Sequence, residues 1–191
     1  MALIGISSTG GGGSFTPLSE GVHTAKLVQI IDLGIQRDEY QGITSERPKV
    51  MFTFEVPGET VTVKGEEKPK FISIEMTVSL HEKAKMPVFI RAMSPGSVMD
   101  ESLNLAELVG SGVQINVGRT AGGKAKILTA MSLAKGQVVQ NTDTPLVVFD
   151  FDNQDAAVLS KLPEFLKKKI AGAVNSVAIS PSASGTLPPV M

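Results

Sequence analysis

Apolar and polar residues alternate along most of this chain, and the alternation predicts strands. Val22–Leu33 reads as a long first strand that meets Gly34, where a glycine suits a bulge or bend. In Lys49–Val56, Val50, Phe52, Phe54 and Val56 alternate with Lys49, Met51, Thr53 and Glu55, which predicts a strand with one buried face. Pro57-Gly58 reads as the turn that ends it. Phe71–Leu80 places Ile72, Ile74, Met76, Val78 and Leu80 on one face and Phe71, Ser73, Glu75, Thr77 and Ser79 on the other. Val113–Val117 reads as a fourth strand with Gln114 and Asn116 outward. Ala125–Leu133 reads as a fifth, with Ile127, Met131 and Leu133 inward and Lys124, Lys126, Leu128 and Ala130 on the other face. Ala121-Gly122-Gly123 makes their connection a hairpin.

Between the third and fourth strands the pattern turns helical. His81–Met93 predicts a helix limited or kinked by Pro87, and Leu103–Val109 a shorter one stopped by Gly110. After a linker, Ala134–Pro145, the run Pro145–Asp152 predicts an added strand. Asp155–Asn175 predicts an amphipathic helix with Ala156, Leu159, Leu162, Leu166 and Ile170 on one stripe, split in two by Pro163. Three strands, a helical insertion and a final hairpin are the order of an oligonucleotide-binding (OB) barrel; a β-sandwich with one helical crossover is the rival. The predicted fold class is mainly β: a five-stranded OB-type barrel over residues 21–136 with a helical insertion between strands three and four. A flexible, Gly/Ser-rich arm over residues 1–20 precedes it. A C-terminal strand-plus-helix extension over 137–175 and a disordered, Pro-rich tail over 176–191 follow.

Composition narrows the function classes. The 191 residues suffice for one domain with a core plus extensions. No apolar run approaches the roughly 20 residues of a membrane helix, and the start has no basic segment of a secretory signal, so a cytoplasmic protein is expected. Absence of cysteine excludes disulfides and thiolate metal sites. The net charge of −1 gives no global attraction to nucleic acid. Charge is nonetheless segregated: four aspartates without a basic residue in Asp143–Asp155 precede four lysines and one glutamate in Lys161–Lys169.

No catalytic or metal constellation emerges, and neither a catalytic residue nor a cofactor is expected. His81-Glu82 lacks the second histidine of a zinc-hydrolase motif and reads as the flank of a helix start; His23 reads as a packed or surface residue. Gly10–Gly13 lacks the Lys-Ser/Thr of a phosphate loop. Asp150, Asp152 and Asp155 lack the spacing of a calcium loop. Binding is better served. On an OB barrel, single-stranded nucleic acid crosses the outer face of strands two and three, between the first and last hairpin loops, and needs cations and stacking rings there. Arg37, Tyr40 and Arg47 fall in the first loop, Lys49 opens strand two, and Lys70 and Phe71 open strand three. Arg119, Lys124 and Lys126 surround the last hairpin. Each has a plain alternative: solvated charges, a loop-anchoring tyrosine hydroxyl, a covered phenylalanine. Asp38, Glu39, Glu46, Glu66 and Glu67 weaken the field, so binding of moderate, salt-sensitive strength is expected.

Several short motifs run in the same direction. They are Phe15-Thr16-Pro17 before Glu20-Gly21; Asp32-Leu33-Gly34 with Gln36; Lys49-Val50; Phe52-Thr53-Phe54; and Ser79-Leu80-His81-Glu82-Lys83-Ala84. Leu105 with Leu108-Val109-Gly110, Leu133 with Lys135-Gly136, and Leu162-Pro163-Glu164-Phe165 before Lys169-Ile170 complete the set. Through them the chain resembles the OB-fold single-stranded DNA-binding proteins encoded by bacteriophages, over most of residues 15–172. The resemblance implies single-stranded DNA as ligand and a non-enzymatic role in phage DNA replication or recombination, in the cytoplasm of the infected host. Replication or recombination proteins would be partners, and a homo-oligomer, a dimer first, is expected. The chain departs from the family in having no tryptophan around Pro87–Glu101 and no acidic C-terminal tip. The alternatives are a phage structural or assembly protein and a host-directed inhibitor that binds a protein partner.

Overall fold

The computed structural model describes residues 16–176. Of the arm expected over 1–20 and the tail expected over 176–191, residues 1–15 and 177–191 lie outside these residues. The fold is mainly β, and its first strand, β1 (Gly21–Tyr40), runs well past the end predicted for it. Gly34 does mark a break: its φ is +68°, and the pairing register with the next strand shifts between Asp32 and Ile35. The break is a bulge, however, and the ladder resumes at Ile35↔Pro48 and continues to Tyr40↔Ile43. Gln41 and Gly42 then turn the chain with φ of 52° and 78°, the paired positive values of a tight hairpin turn. The loop predicted over Ile35–Pro48 is thus a two-stranded arm.

β2 (Ile43–Val63) likewise passes through Pro57-Gly58, where the sequence predicts a turn. Proline has no N–H to give to a ladder, and here it sits inside a register shift between Val56 and Thr60 where none is required. The chain turns instead at Lys64-Gly65, again with two positive φ values. β3 (Glu66–Thr77), β4 (Gly112–Arg119) and β5 (Ala125–Met131) complete an antiparallel path in the order β3-β2-β1-β4-β5. Among the described residues no ladder joins the two ends of that path. α1 (Lys85–Met93) packs against both end strands, β3 and β5, and against β4. Pro87 lies in its first turn, where a missing N–H costs nothing. A 3-10 turn at Leu105–Leu108, C-capped by Val109, replaces the second predicted helix, and Gly110 follows with a φ of 95°.

β5 corrects one predicted face. Asn116 pairs with Thr129 but Val117 with Ile127, so Leu128 is an extra residue opposite the ladder. The bulge flips the alternation: Ala130 turns inward at 6% exposure, while Met131, predicted inward, is 40% exposed. The inner faces enclose one core, centred on Phe52, Phe54 and α1's Phe89, whose rings meet at centroid distances of 6.4 and 6.0 Å. Such ring pairs add about 0.5–1.5 kcal/mol each beyond area burial.

A second core lies on the opposite side of β1 and β2. The linker after β5 runs across β1 and β4: Gln137 Nε2 donates to Thr24 Oγ1 at 2.6 Å, and Gln114 Nε2 donates to Gln137 Oε1 at 2.9 Å. Thr142 and Thr144 hydroxyls donate to the two carboxylate oxygens of Glu55, at 2.5 and 2.6 Å. β6 (Val147–Phe149) then pairs in parallel with Gln29–Ile31 of β1. α2 (Ala156–Lys161), N-capped by Asp155, and α3 (Glu164–Ala171) follow, parted at Leu162-Pro163 as the sequence predicts. Leu162, Leu166 and Ile170 bury themselves on Ile31, Leu33 and Met51. β2 is therefore buried on both faces from Val50 to Val56, Glu55 included at 0% exposure, where the sequence predicts a polar outer face.

The bulge at Gly34 is where this second layer locks. Just past it, the Ile35 N–H donates to Asn175 Oδ1 at 2.8 Å and the Ile35 carbonyl accepts from Val174 N–H at 2.8 Å. A Cβ on Gly34 would stand 2.7 Å from the Phe151 ring and 2.8 Å from Asn175 Oδ1. Gly34→Ala therefore incurs both a left-handed backbone and a clash, and is expected to lower unfolding stability by about 2–4 kcal/mol. A urea unfolding midpoint unchanged by the substitution would contradict this.

Candidate functional site

The register of the sheet divides the candidate residues into two groups. Lys49 stands opposite Thr77 and Lys70 opposite Val56 on the same ladder, seven positions apart, or about 23 Å along the strands. Arg37, Tyr40, Arg47 and Lys49 belong to the end that carries the β1–β2 arm. Lys70 and Phe71 lie toward the other end, and Arg119, Lys124 and Lys126 lie at the β4–β5 hairpin, near the start of β1, where Gly21 pairs with Val117.

The arm presents its tip to solvent. Tyr40 is 73% exposed and faces Ile43, which is 70% exposed. The Tyr40 hydroxyl accepts one weak hydrogen bond, from Gln41 Nε2 at 3.2 Å. Arg37 donates from Nε and Nη2 to Glu46 Oε1 at 3.1 and 2.7 Å. Both side chains are well exposed, and a pair of this kind holds its partners by no more than about 1 kcal/mol. Arg47, opposite Gln36, is exposed and unpaired among the described residues. Lys49 differs: its side chain is 14% exposed and its ammonium lies 2.6 Å from Asp38 Oδ2.

Lys70 is committed to the fold. Its ammonium donates to Glu59 Oε2 at 2.9 Å and to the Pro17 carbonyl at 3.4 Å. The Ser19 N–H and hydroxyl donate to the same carboxylate. His23 joins them, and since a carbonyl can only accept, its Nε2–H donates to Ser19 O at 2.8 Å. With Leu18 buried at 3%, this cluster docks the last residues of the segment predicted as a free arm. Phe71 is half-buried opposite Glu55, beside the linker that covers that carboxylate. At the other hairpin Lys124 and Lys126 are exposed, while Arg119 is half-buried with no partner for Nη1 among the described residues.

Between the arm and the start of α1 lies a groove of about 380 Å3, lined by the expected Arg47 and Lys49 and by Glu75, Thr77, Ser79 and Lys85, which the sequence reading did not include among its site residues. Glu75, on its wall, is ion-paired with Lys169 of α3. His81 flanks the helix start as predicted, its Nδ1 accepting from Lys83 N–H at 3.2 Å. Lys85 gave no sequence signal, because its approach to Arg47 depends on where the helix begins.

Four carboxylates are shifted; Asp100 and Glu164, both on the surface, are lowered by the Ser102 hydroxyl and by Lys167 respectively, and the other two bear on the fold. Burial alone would raise Glu59, but the Ser19 hydroxyl, the Lys70 ammonium and the Ser19 amide outweigh it and hold the carboxyl at about 2. Asp32 is raised, first by burial and then by the charges of Asp150 and Asp152, against the pull of the Gly34 and Phe151 amides. Among the described residues no group of three His, Cys, Asp or Glu side chains is placed to hold a metal ion, and no helix is long and apolar enough to cross a membrane. No protein-family model matches the chain, and no curated protein sequence matches it.

The Glu59 and Asp32 shifts set opposite pH dependences. Glu59 has a depressed folded value, so its stabilisation is present above about 4.5 and is lost as pH falls toward about 2. Allowing for solvent screening, about 1–2 kcal/mol is involved. Glu59→Gln should flatten acid unfolding across that window, and an acid limb identical to the parent's would contradict the assignment. Asp32 is raised, so ionising it as pH climbs through the carboxylate range costs stability. Asp32→Asn keeps an acceptor for the Gly34 N–H and removes the repulsion. It should raise the neutral-pH melting temperature by a few degrees, about 0.5–1 kcal/mol; a lower melting temperature would show that the carboxylate is needed.

Proposed function

We propose that this protein binds single-stranded DNA through an OB-type barrel, without catalysing a reaction on it, and protects or presents that strand during phage DNA replication or recombination. The strand path β3-β2-β1-β4-β5, curled around one core with α1 against both end strands, is that of a small barrel laid open between β3 and β5. Its projecting β1–β2 hairpin offers a single strand both a stacking ring and cations. The observation that carries the reading is Tyr40, a tyrosine 73% exposed at the tip of an arm that also bears Arg37 and Arg47. An exposed ring beside cations is the chemistry single-stranded nucleic acid requires.

A second reading draws on the same arm. Exposed Tyr40 and Ile43 at the end of a two-stranded ribbon would also suit insertion into a neighbouring subunit of a phage assembly.

One titration separates the two. Oligo-dT should bind at low salt with an affinity that falls steeply as salt rises. Tyr40→Ala should weaken it by about 1–3 kcal/mol, or about 5- to 150-fold. No binding at micromolar protein and low salt, together with a large closed assembly by light scattering, would discard the DNA reading in favour of the second.

A further inference from the structure

Where the strand would run depends on which surfaces the fold leaves open. The outer face of β2 is closed along the length an OB barrel uses. Met51 is under the α3 layer, Thr53 is 5% exposed and bonded to Ser73 Oγ at 2.9 Å, and Glu55 is sealed by the linker. Lys70, at the far end of that face, is held by Glu59.

The groove beside the arm is open, and its charge balance is positive. Lys49 is neutralised by Asp38 and Glu75 by Lys169. Arg47 and Lys85 remain, both exposed, and the ion pairs among the described residues involve neither. Ser79 Oγ accepts from His81 N–H at 3.3 Å, which orients the hydroxyl and leaves its own proton to donate. Two free cations and a donor hydroxyl on a groove of about 380 Å3 match a phosphodiester with its sugar. The groove is continuous with the arm through Arg47, which stands four ladder positions from the pair Tyr40↔Ile43.

Resting on the DNA-binding reading above, we infer that the sugar–phosphate backbone of the bound strand passes through this groove. Arg47 and Lys85 hold its phosphates with help from Ser79, and Tyr40 stacks a base at the end of the arm. The outer face of β2 takes no part.

The test is a titration of fluorescent oligo-dT over a series of salt concentrations with the full chain. The double variant Arg47→Ala/Lys85→Ala should bind about tenfold or more weakly at low salt. Its slope of log affinity against log salt should be shallower by about 1.4, the value for two single-strand phosphate contacts. The charge-keeping pair Arg47→Lys/Lys85→Arg should restore the slope, and Lys135→Ala, on the exposed linker, should leave it unchanged. Tyr40→Ala should weaken binding with the slope intact, because a stack releases no counterion. Thermal unfolding of each variant should match the parent, since both side chains are exposed. A parent that binds while the double variant keeps its affinity and slope would overturn the groove alone. A parent that does not bind would remove the DNA reading itself.

Discussion

A strand of 20 residues that is apolar on both faces must be covered twice, and β1 is such a strand. Ala25, Leu27 and Ile30 point into the first core, while Ile31 and Leu33 point the other way. One sheet curled on itself covers only the first set. The second set would be left against water at about 25 cal/mol per Å2 without the layer built by β6, α2 and α3. That requirement explains why the chain does not stop at β5. It also explains why the extension returns to β1 itself, with β6 laid parallel beside Gln29–Ile31. Gly34 makes the arrangement possible: its bulge changes which face each later residue occupies, and just past it Val174 and Asn175 take up the backbone groups of Ile35.

The strands were legible because their signal is local. Alternation in Lys49–Val56 and Phe71–Leu80, the hairpin at Gly122-Gly123 and the break at Pro163 each depend on residues a few positions apart. What escaped depends on pairing. Pro57-Gly58 carries a turn signal that the β3 ladder overrides by placing it in a bulge, and Ile35–Tyr40 reads as a charged loop until Ile43–Pro48 is seen opposite it. Neither partner segment is marked by its own composition. The second core left a trace in the sequence. A helical stripe of Leu162, Leu166 and Ile170 needs an apolar receiver, and Met51 is an apolar residue on a face assigned to solvent, beside Ile31 and Leu33 of the first strand.

The candidate site was less legible for an electrostatic reason. A lysine in sequence is a free cation; in the fold it takes the nearest carboxylate that burial makes worth pairing. Lys70 and Lys49 lie beside partly buried backbone, where an unpaired charge is costly, and each is matched with an acid, Glu59 or Asp38. Arg37 and Glu46 pair in open solvent, where the attraction is weak and exchange for a ligand phosphate costs little. Exposure therefore sorts the cations that sequence position had grouped together, and it leaves the arm and its groove as the end with freedom to bind.

The same covering layer that stabilises β1 thus constrains function. It closes the outer face of β2, the face on which an OB barrel receives its ligand. By anchoring α3 through the Lys169–Glu75 pair it also neutralises the acid on the wall of the groove that remains. If the groove binds as proposed, stability and binding are coupled at that contact: a charge drawn from the basic helix to fix the second layer is what leaves Arg47 and Lys85 unopposed. The extension holds the base of the arm, where Ile35 meets Val174 and Asn175 and Gln36 Nε2 donates to the Lys169 carbonyl at 3.0 Å, and the tip projects beyond these contacts. The arm can keep a tyrosine in water at its tip because no core requires that ring.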